Sequence, residues 1–278
     1  MAPTPSLDVD GPFGARPLSR TAALAWRAAT WPWPANVKRR LRRLARRHPG
    51  PFDVALDGVR MRAYPAENYC DRVVVGQGRW PEPAEHEALR RHLAPGMVFV
   101  DVGANVGAYA LFVGVHAPGA RILAFEPHPR TAAKLRYNLA ASGIAAEVIE
   151  AAAGPPPGDG GTMDLWSDGG GNVGGTSLLP AATSNAKLKV SVPVRALADV
   201  LGERAVTRVD ALKIDVEGFE DRALAPFLDA APPALLPRVI LLEHEHAGFW
   251  KCDLHAMLLG AGYAVGFETR QNRLYVRA

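Results

Sequence analysis

The run MVFVDVGANVGAY, residues 97–109, constrains this chain more than any other stretch. Met97, Val98, Phe99 and Val100 are continuously apolar and are closed by Asp101, the pattern of a parallel strand buried on both faces. Residues 106–116 then repeat apolar positions at helical spacing. A glycine bend that joins a buried strand to a helix is the opening of a nucleotide-binding α/β unit. Gly103 permits the tight turn, and the bare backbone at Gly103 and Gly107 lets a ligand approach. The first amides of the helix offer donors to an anionic group. The glycines do not follow the G-x-G-x-x-G spacing of dinucleotide enzymes, so no pyrophosphate need be bound.

Downstream the same alternation continues. Strands are expected at 121–126, 147–149, 188–194, 209–215 and 238–243, and helices at 131–141, 195–201, 218–228 and 252–259. Residues 263–268 and 273–277 are close enough to form an antiparallel hairpin. Residues 154–175 are rich in Gly, Pro and Asp and read as a loop. The fold class is therefore α/β: a mostly parallel, Rossmann-like sheet with a C-terminal antiparallel hairpin and helices on both faces. Glu126, at the end of the second strand, is placed to accept hydrogen bonds from both ribose hydroxyls of an adenosine-containing ligand.

The amino-terminal part differs in character. Residues 1–18 are rich in Pro and Gly and are expected to be disordered. Seven of the chain's basic residues lie between Lys38 and Arg47, on a helix whose apolar positions are Val37, Leu41, Leu44 and Ala45. Because the formal net charge is only +4, the remainder is net acidic, which argues against a nucleic-acid-binding body. With Trp26, Trp31 and Trp33 close by, residues 20–48 suit either a peripheral contact with an anionic membrane or acidic partner, or a helix that packs on the catalytic domain. Residues 1–50 are thus read as an extension and 51–278 as one domain. Within it, 51–94 supply strand-like pieces at 54–56, 61–64 and 72–75 and a helix at 82–93, and 95–278 form the ligand-binding core. No apolar run is long enough to cross a bilayer, and the start lacks the order of a secretory signal. Cys70 and Cys252 read as free thiols, and a cytoplasmic location is expected, with peripheral contact at the inner membrane face as the variant.

The segments FVDVGANVGAYAL, AFEPHP, LKIDVEGFE and VILLEHE, with NVGGTSLL between them, together resemble the FkbM family of methyltransferases. The resemblance runs from about Glu82 to the C-terminus and leaves the basic extension outside. It implies a seven-stranded methyltransferase sheet, S-adenosyl-L-methionine as cofactor, and O-methylation of a hydroxyl on a sugar, glycan or secondary metabolite. The expected cofactor contacts are Asp101, Gly103, Asn105, Gly107, Glu126 and Asp215. Glu150 stands where many relatives have Asn, so no adenine contact is assigned to it.

Methyl transfer needs alignment, exclusion of water and removal of a proton from the nucleophile. Ligands collect beyond the carboxyl ends of the strands, which points to Asp215 and Glu217 after one strand and to Glu243, His244 and Glu245 after the next. Asp215, Glu217, Glu243 and His244 are the candidate catalytic residues, with His244 or a neighbouring carboxylate as general base. The alternative is a divalent cation on Asp215, Glu243 and Glu245; the bland reading is that some of these acids cap helices. Residues 169–179 form a candidate lid, with Asn172, Thr176 and Ser177 as polar contacts; Trp166, Phe249 and Trp250 could stack on a sugar. His116, His128 and His255 read as structural. Two readings compete: a nicotinamide-dependent oxidoreductase, which would need the dinucleotide spacing, and a methyltransferase-like protein that binds without turnover.

Overall fold

The computed structural model describes residues 7–158, 161–167, 175–183 and 186–277. The chain begins with α1 (Arg20–Thr30) and α2 (Ala35–Ala45). The Ser19 hydroxyl caps α1 by accepting from the Ala22 amide. Trp26 is fully buried between these helices, and its indole donates to the His48 carbonyl at 2.9 Å. An antiparallel ribbon follows, β1 (Phe52–Leu56) and β2 (Val59–Ala63), then α3 (Tyr69–Gln77) and α4 (Pro83–Arg90).

Two expectations are corrected here. Residues 7–18 are not disordered: the Asp53 carboxylate accepts from the Gly14 and Arg16 amides, and the Arg62 guanidinium reaches the Asp8 and Pro12 carbonyls. Two side chains remote in sequence supply the order that local composition lacks. Residues 72–75 are not a strand but the middle of α3. Asn68 caps that helix by accepting from the Cys70 and Asp71 amides, and Val73, Val74 and Val75 are all buried. Burial on several sides outweighs the β propensity of the valines.

The core strands and helices alternate as expected: β3 (Val98–Val102), α5 (Ala108–His116), β4 (Arg121–Phe125), α6 (Pro129–Ser142) and β5 (Glu147–Ile149). An excursion then carries β6 (Ala152–Ala153), β7 (Thr162–Ser167) and β8 (Leu188–Arg195). The chain returns through α7 (Leu197–Glu203), β9 (Ala211–Ile214), α8 (Glu220–Ala230), β10 (Val239–Glu243), α9 (Leu254–Gly260), β11 (Tyr263–Glu268) and β12 (Asn272–Arg277).

The main sheet has seven strands in the order β11-β12-β10-β9-β3-β4-β5, and only β12 runs antiparallel to its neighbours. Successive side chains of β3 face opposite ways. Phe99 joins a core with Met61, Leu111 and Leu135, whereas Val100 joins one with Leu201, Leu224 and Leu258. Helices α3 to α6 therefore cover one face and α7 to α9 the other. The strand order reverses at β3, where one branch proceeds to β4 and the other to β9. That reversal leaves a crevice at the carboxyl ends of these strands.

The stretch expected as a loop over 154–175 contains strand β7, which pairs antiparallel with β8 beside β6 in a separate three-stranded sheet. Leu165, Val192, Leu178 and Phe219 form a small core under it. The flanking Gly and Pro residues masked a strand only six residues long. No helix among the described residues is long and apolar enough to cross a membrane.

Candidate functional site

The cavity at the crevice begins with the bend after β3. Gly103 has φ +79°, and a Cβ there would lie 1.9 Å from the Asp215 carbonyl oxygen. Gly107 has φ +100°, and its Cβ would press on Leu135 at 2.7 Å. Gly103 is thus required by neighbouring backbone, whereas Gly107 is favoured by its left-handed backbone and meets only the flexible end of Leu135. The Gly103 and Ala104 amides donate to the Phe125 carbonyl, which clamps the bend onto β4. Asn105, at φ +52°, accepts from the Asn68 amide side chain at 2.7 Å.

Glu126 faces this bend. Its Oε2 accepts from the Asn105 amide and its Oε1 from the His128 amide, both at 2.9 Å. The side chain is buried but lines the cavity, and burial pushes its carboxyl up to about 7 against the pull of those two amides. Each oxygen keeps a further lone pair for a ligand hydroxyl. Ala151, Ala152 and Ala153, all with small side chains, line the cavity together with Phe125. Glu150 is exposed and pairs with Arg136 at 2.7 Å, so it does not enter the cavity.

The opposite wall is acidic. Asp215 follows β9, Glu217 follows with φ +54°, and Glu243 ends β10; all three line the cavity. His246 joins them, its Nδ1 3.4 Å from Glu217 Oε2 and 3.8 Å from Glu243 Oε1. Burial, then the charges of Asp215 and Glu220, push both Glu217 and Glu243 well above the ordinary carboxylate range. Glu243 Oε2 is buried without a hydrogen-bond partner among the described residues. Lys213 lies beneath: its Nζ is 3.2 Å from Asp215 Oδ2 and 5.1 Å from the centroid of the Tyr109 ring. Burial alone would lower the Lys213 ammonium, but Asp215, Asp101 and Glu82 together raise it, so it stays charged. This wall can hold or accept protons near neutral pH.

The structure therefore brings Gly103, Asn105, Glu126, Asp215, Glu217, Glu243 and Glu245 to one cavity. Three expected site residues stand outside its lining. Asp101 is buried below the bend, where its Oδ2 accepts from the Ala110 amide at 3.1 Å and so caps α5. Gly107 closes the start of α5 against α6. His244 is turned out of the lining, its amide tied to the Gln271 carbonyl at 2.7 Å, and His246 takes the place expected of it. Trp166, Phe249 and Trp250 also lie outside the lining. Of the candidate lid, 169–174, and with them Asn172, lie outside the described residues. Thr176 and Leu178 line the cavity, while the Ser177 hydroxyl donates to the Glu217 carbonyl at 2.7 Å.

Sequence reasoning missed Glu82, Tyr109, Lys213, His246 and Gln271. Tyr109 donates to Glu82 Oε2 at 2.7 Å, joining α5 to the loop before α4. Lys213 lies inside LKIDVEGFE, where strand alternation gives a usable signal for it, and His246 directly follows VILLEHE. Glu82 carried none, since nothing local distinguishes it from other surface acids.

A divalent cation fits this wall poorly. The three carboxylates whose oxygens approach within 4.8 Å of one another are Asp215, Glu220 and Glu243, not the expected set with Glu245. Glu220 is engaged at both oxygens: Oε1 accepts from the Val216 and Gly218 amides, and Oε2 from the Trp250 indole at 2.8 Å. Glu245 is paired with Arg270 at 2.8 Å and with Gln271. Asp215 and Glu243 are left, and the charged Lys213 ammonium, 3.2 Å from Asp215 Oδ2, already stands where a cation would balance that carboxylate.

Residues 101–265 match the family described as Methyltransferase FkbM domain. The chain is 30% identical over 199 residues to the 31-O-demethyl-FK506 methyltransferase FkbM of Streptomyces tacrolimicus, covering 63% of this chain and 76% of that protein. It is 33% identical over 188 residues to Methyltransferase 1 of Beauveria bassiana, covering 61% and 73%. Among solved structures, the T. thermophilus 16S rRNA N2 G1207 methyltransferase aligns with a TM-score of 0.46 and 17% identity over 81% of this chain and 49% of that one.

Proposed function

Because the chain belongs to the FkbM family of S-adenosylmethionine-dependent methyltransferases, we propose that it methylates a hydroxyl oxygen on a small-molecule or glycan acceptor. The observation that carries this reading is the two-sided cavity. Glu126 and the bend at Gly103 form a wall suited to an adenosyl group, and Glu217, Glu243 and His246 form a wall suited to taking a proton.

S-adenosylmethionine supplies an electrophilic methyl group on a sulfonium centre. Glu126 holds the ribose diol through lone pairs that its two amide donors leave open. The alanine wall at 151–153 receives the adenine. Asp215, beside the charged Lys213, places a carboxylate near the positive end of the cofactor. An acceptor hydroxyl must lose its proton as its oxygen takes the methyl group. Glu217 and Glu243 bind protons more tightly than ordinary carboxylates, so they are largely protonated at neutral pH and become strong bases as pH rises. His246, between them, orients one of the two and can pass the proton on. A phenol or sugar hydroxyl needs such a base, whereas a neutral amine can attack first and lose its proton afterwards.

The test is methyl transfer from labelled S-adenosylmethionine to matched acceptors that carry either a hydroxyl or an amine. Labelled ethers are expected, and E243Q should lower their formation by about a hundredfold or more. Labelled amines with no ethers would overturn the oxygen assignment, and no affinity for cofactor would overturn the whole reading.

A further inference from the structure

The helix α2 presents an arginine face that the fold leaves without counter-charge. Leu41 and Ala45 turn inward to the small core around Trp26, Ala29 and Val75. Arg39, Arg40, Arg43 and Arg47 point outward and are exposed. Among the described residues, none of these four forms an ion pair with a carboxylate. The positive field is felt inside the protein. Arg72 on α3 is buried, its Nε has no hydrogen-bond partner, and burial followed by Arg42 and Arg46 pulls it down to about 10.

Apolar groups interrupt this face. Leu44 is 50% exposed between Arg43 and Arg47. Trp31 and Trp33, in the turn that leads into α2, are 53% and 46% exposed. A nucleic acid could stack bases on the tryptophans but has no use for Leu44 among the arginines, and an acidic protein would need an apolar pocket aligned with each of the three. A bilayer rewards the charges and the apolar groups alike, because anionic headgroups overlie an apolar layer that Leu and Trp can enter. We propose that α2 and the turn carrying Trp31 and Trp33 form a docking surface for an anionic lipid bilayer.

The surface is rigidly tied to the cavity. Trp26 and Thr30 of α1 lie against Gly76 of α3 so closely that a Cβ there would meet Thr30 Oγ1 at 2.5 Å. Tyr69 and Cys70, at the other end of α3, line the cavity. Docking therefore fixes the cavity's attitude to the bilayer.

The experiment is co-sedimentation of the full chain with vesicles of phosphatidylcholine alone or mixed with phosphatidylserine, across a salt series, with polyglutamate and single-stranded RNA as competitors. Binding should require phosphatidylserine and weaken with salt. Each basic residue is worth roughly fivefold in partitioning, so R39E/R40E/R43E/R47E should weaken binding by about a hundredfold or more. W31A/W33A should weaken it without changing the salt dependence. Unchanged cofactor affinity in both variants shows that the fold is kept. No binding, equal binding to both vesicles, or capture by polyglutamate or RNA in preference to vesicles overturns the proposal.

Discussion

The bare Cα of Gly103 packs on the Asp215 carbonyl so closely that any side chain would overlap it, a Cβ lying 1.9 Å from the oxygen. This contact joins the carboxyl ends of β3 and β9, and it sets the distance between the two walls of the cavity. G103A must push β9 away while adopting φ +79°, a backbone conformation that costs a residue with a side chain about 1–2 kcal/mol by itself. The variant should lose more than that in denaturant unfolding and lose cofactor binding as well. G107A meets only the flexible end of Leu135 and should be the milder of the two.

Glu126 makes cofactor affinity depend on pH. Its carboxyl is raised from 4.5 to about 7, and only the ionised form accepts from both ribose hydroxyls. Affinity measured by calorimetry should rise as pH climbs through about 7 and level off above it. Stability of the free protein should move the opposite way. A carboxyl raised on folding favours the folded state fully below its unfolded value, and that benefit is lost as pH rises through the folded value. E126Q should abolish the affinity trend, flatten the stability trend in part, since Glu217 and Glu243 contribute in the same direction, and weaken binding by about tenfold to a hundredfold. A pH-independent affinity in the wild type would remove Glu126 from the site.

His246 and His244 can be told apart by substitution. H246A should lower turnover by at least about tenfold and shift the ascending, acidic limb of the pH profile, because it faces Glu217 and Glu243. H244A lies outside the lining and should leave the profile in place. The reverse result would restore the assignment suggested by sequence.

Glu220 has both oxygens committed to the start of α8 and to Trp250, so E220Q should cost about 1–3 kcal/mol of stability. Turnover should be insensitive to chelators, and a loss of activity on chelation that added magnesium restores would place a cation on Asp215 and Glu243 after all.

The sequence disclosed the sheet because its signals are local. Residues 97–102 are apolar without interruption, and the bend that follows needs glycine for backbone reasons legible in any single chain. Glu126 was legible for the same reason, since it stands at the end of a strand whose position could be counted. The acidic wall was legible only in part. Glu217 and Glu243 follow strands, but whether His244 or His246 faces them depends on a short 3₁₀ turn at Ala247–Phe249 that no periodicity announces. Helix α3 was misread because its valines favour strands in isolation. Its burial comes mainly from α1, which lies on the other side of α2 and the β1–β2 ribbon in sequence. Residues 7–18 failed for a similar reason, being ordered by Asp53 and Arg62 rather than by themselves.

The carboxylates of the cavity come from both branches of the sheet, Glu126 from beyond β4 and Glu243 from beyond β10, with β3 and β9 between them. No contiguous fragment carries the whole pocket, so it comes into being only when the last parallel strand docks. A nascent or partly unfolded chain has nothing for the ligand to grip. Ligand in the cell therefore acts on the finished molecule alone, drawing the folding equilibrium forward and shielding the chain from proteolysis in proportion to its concentration.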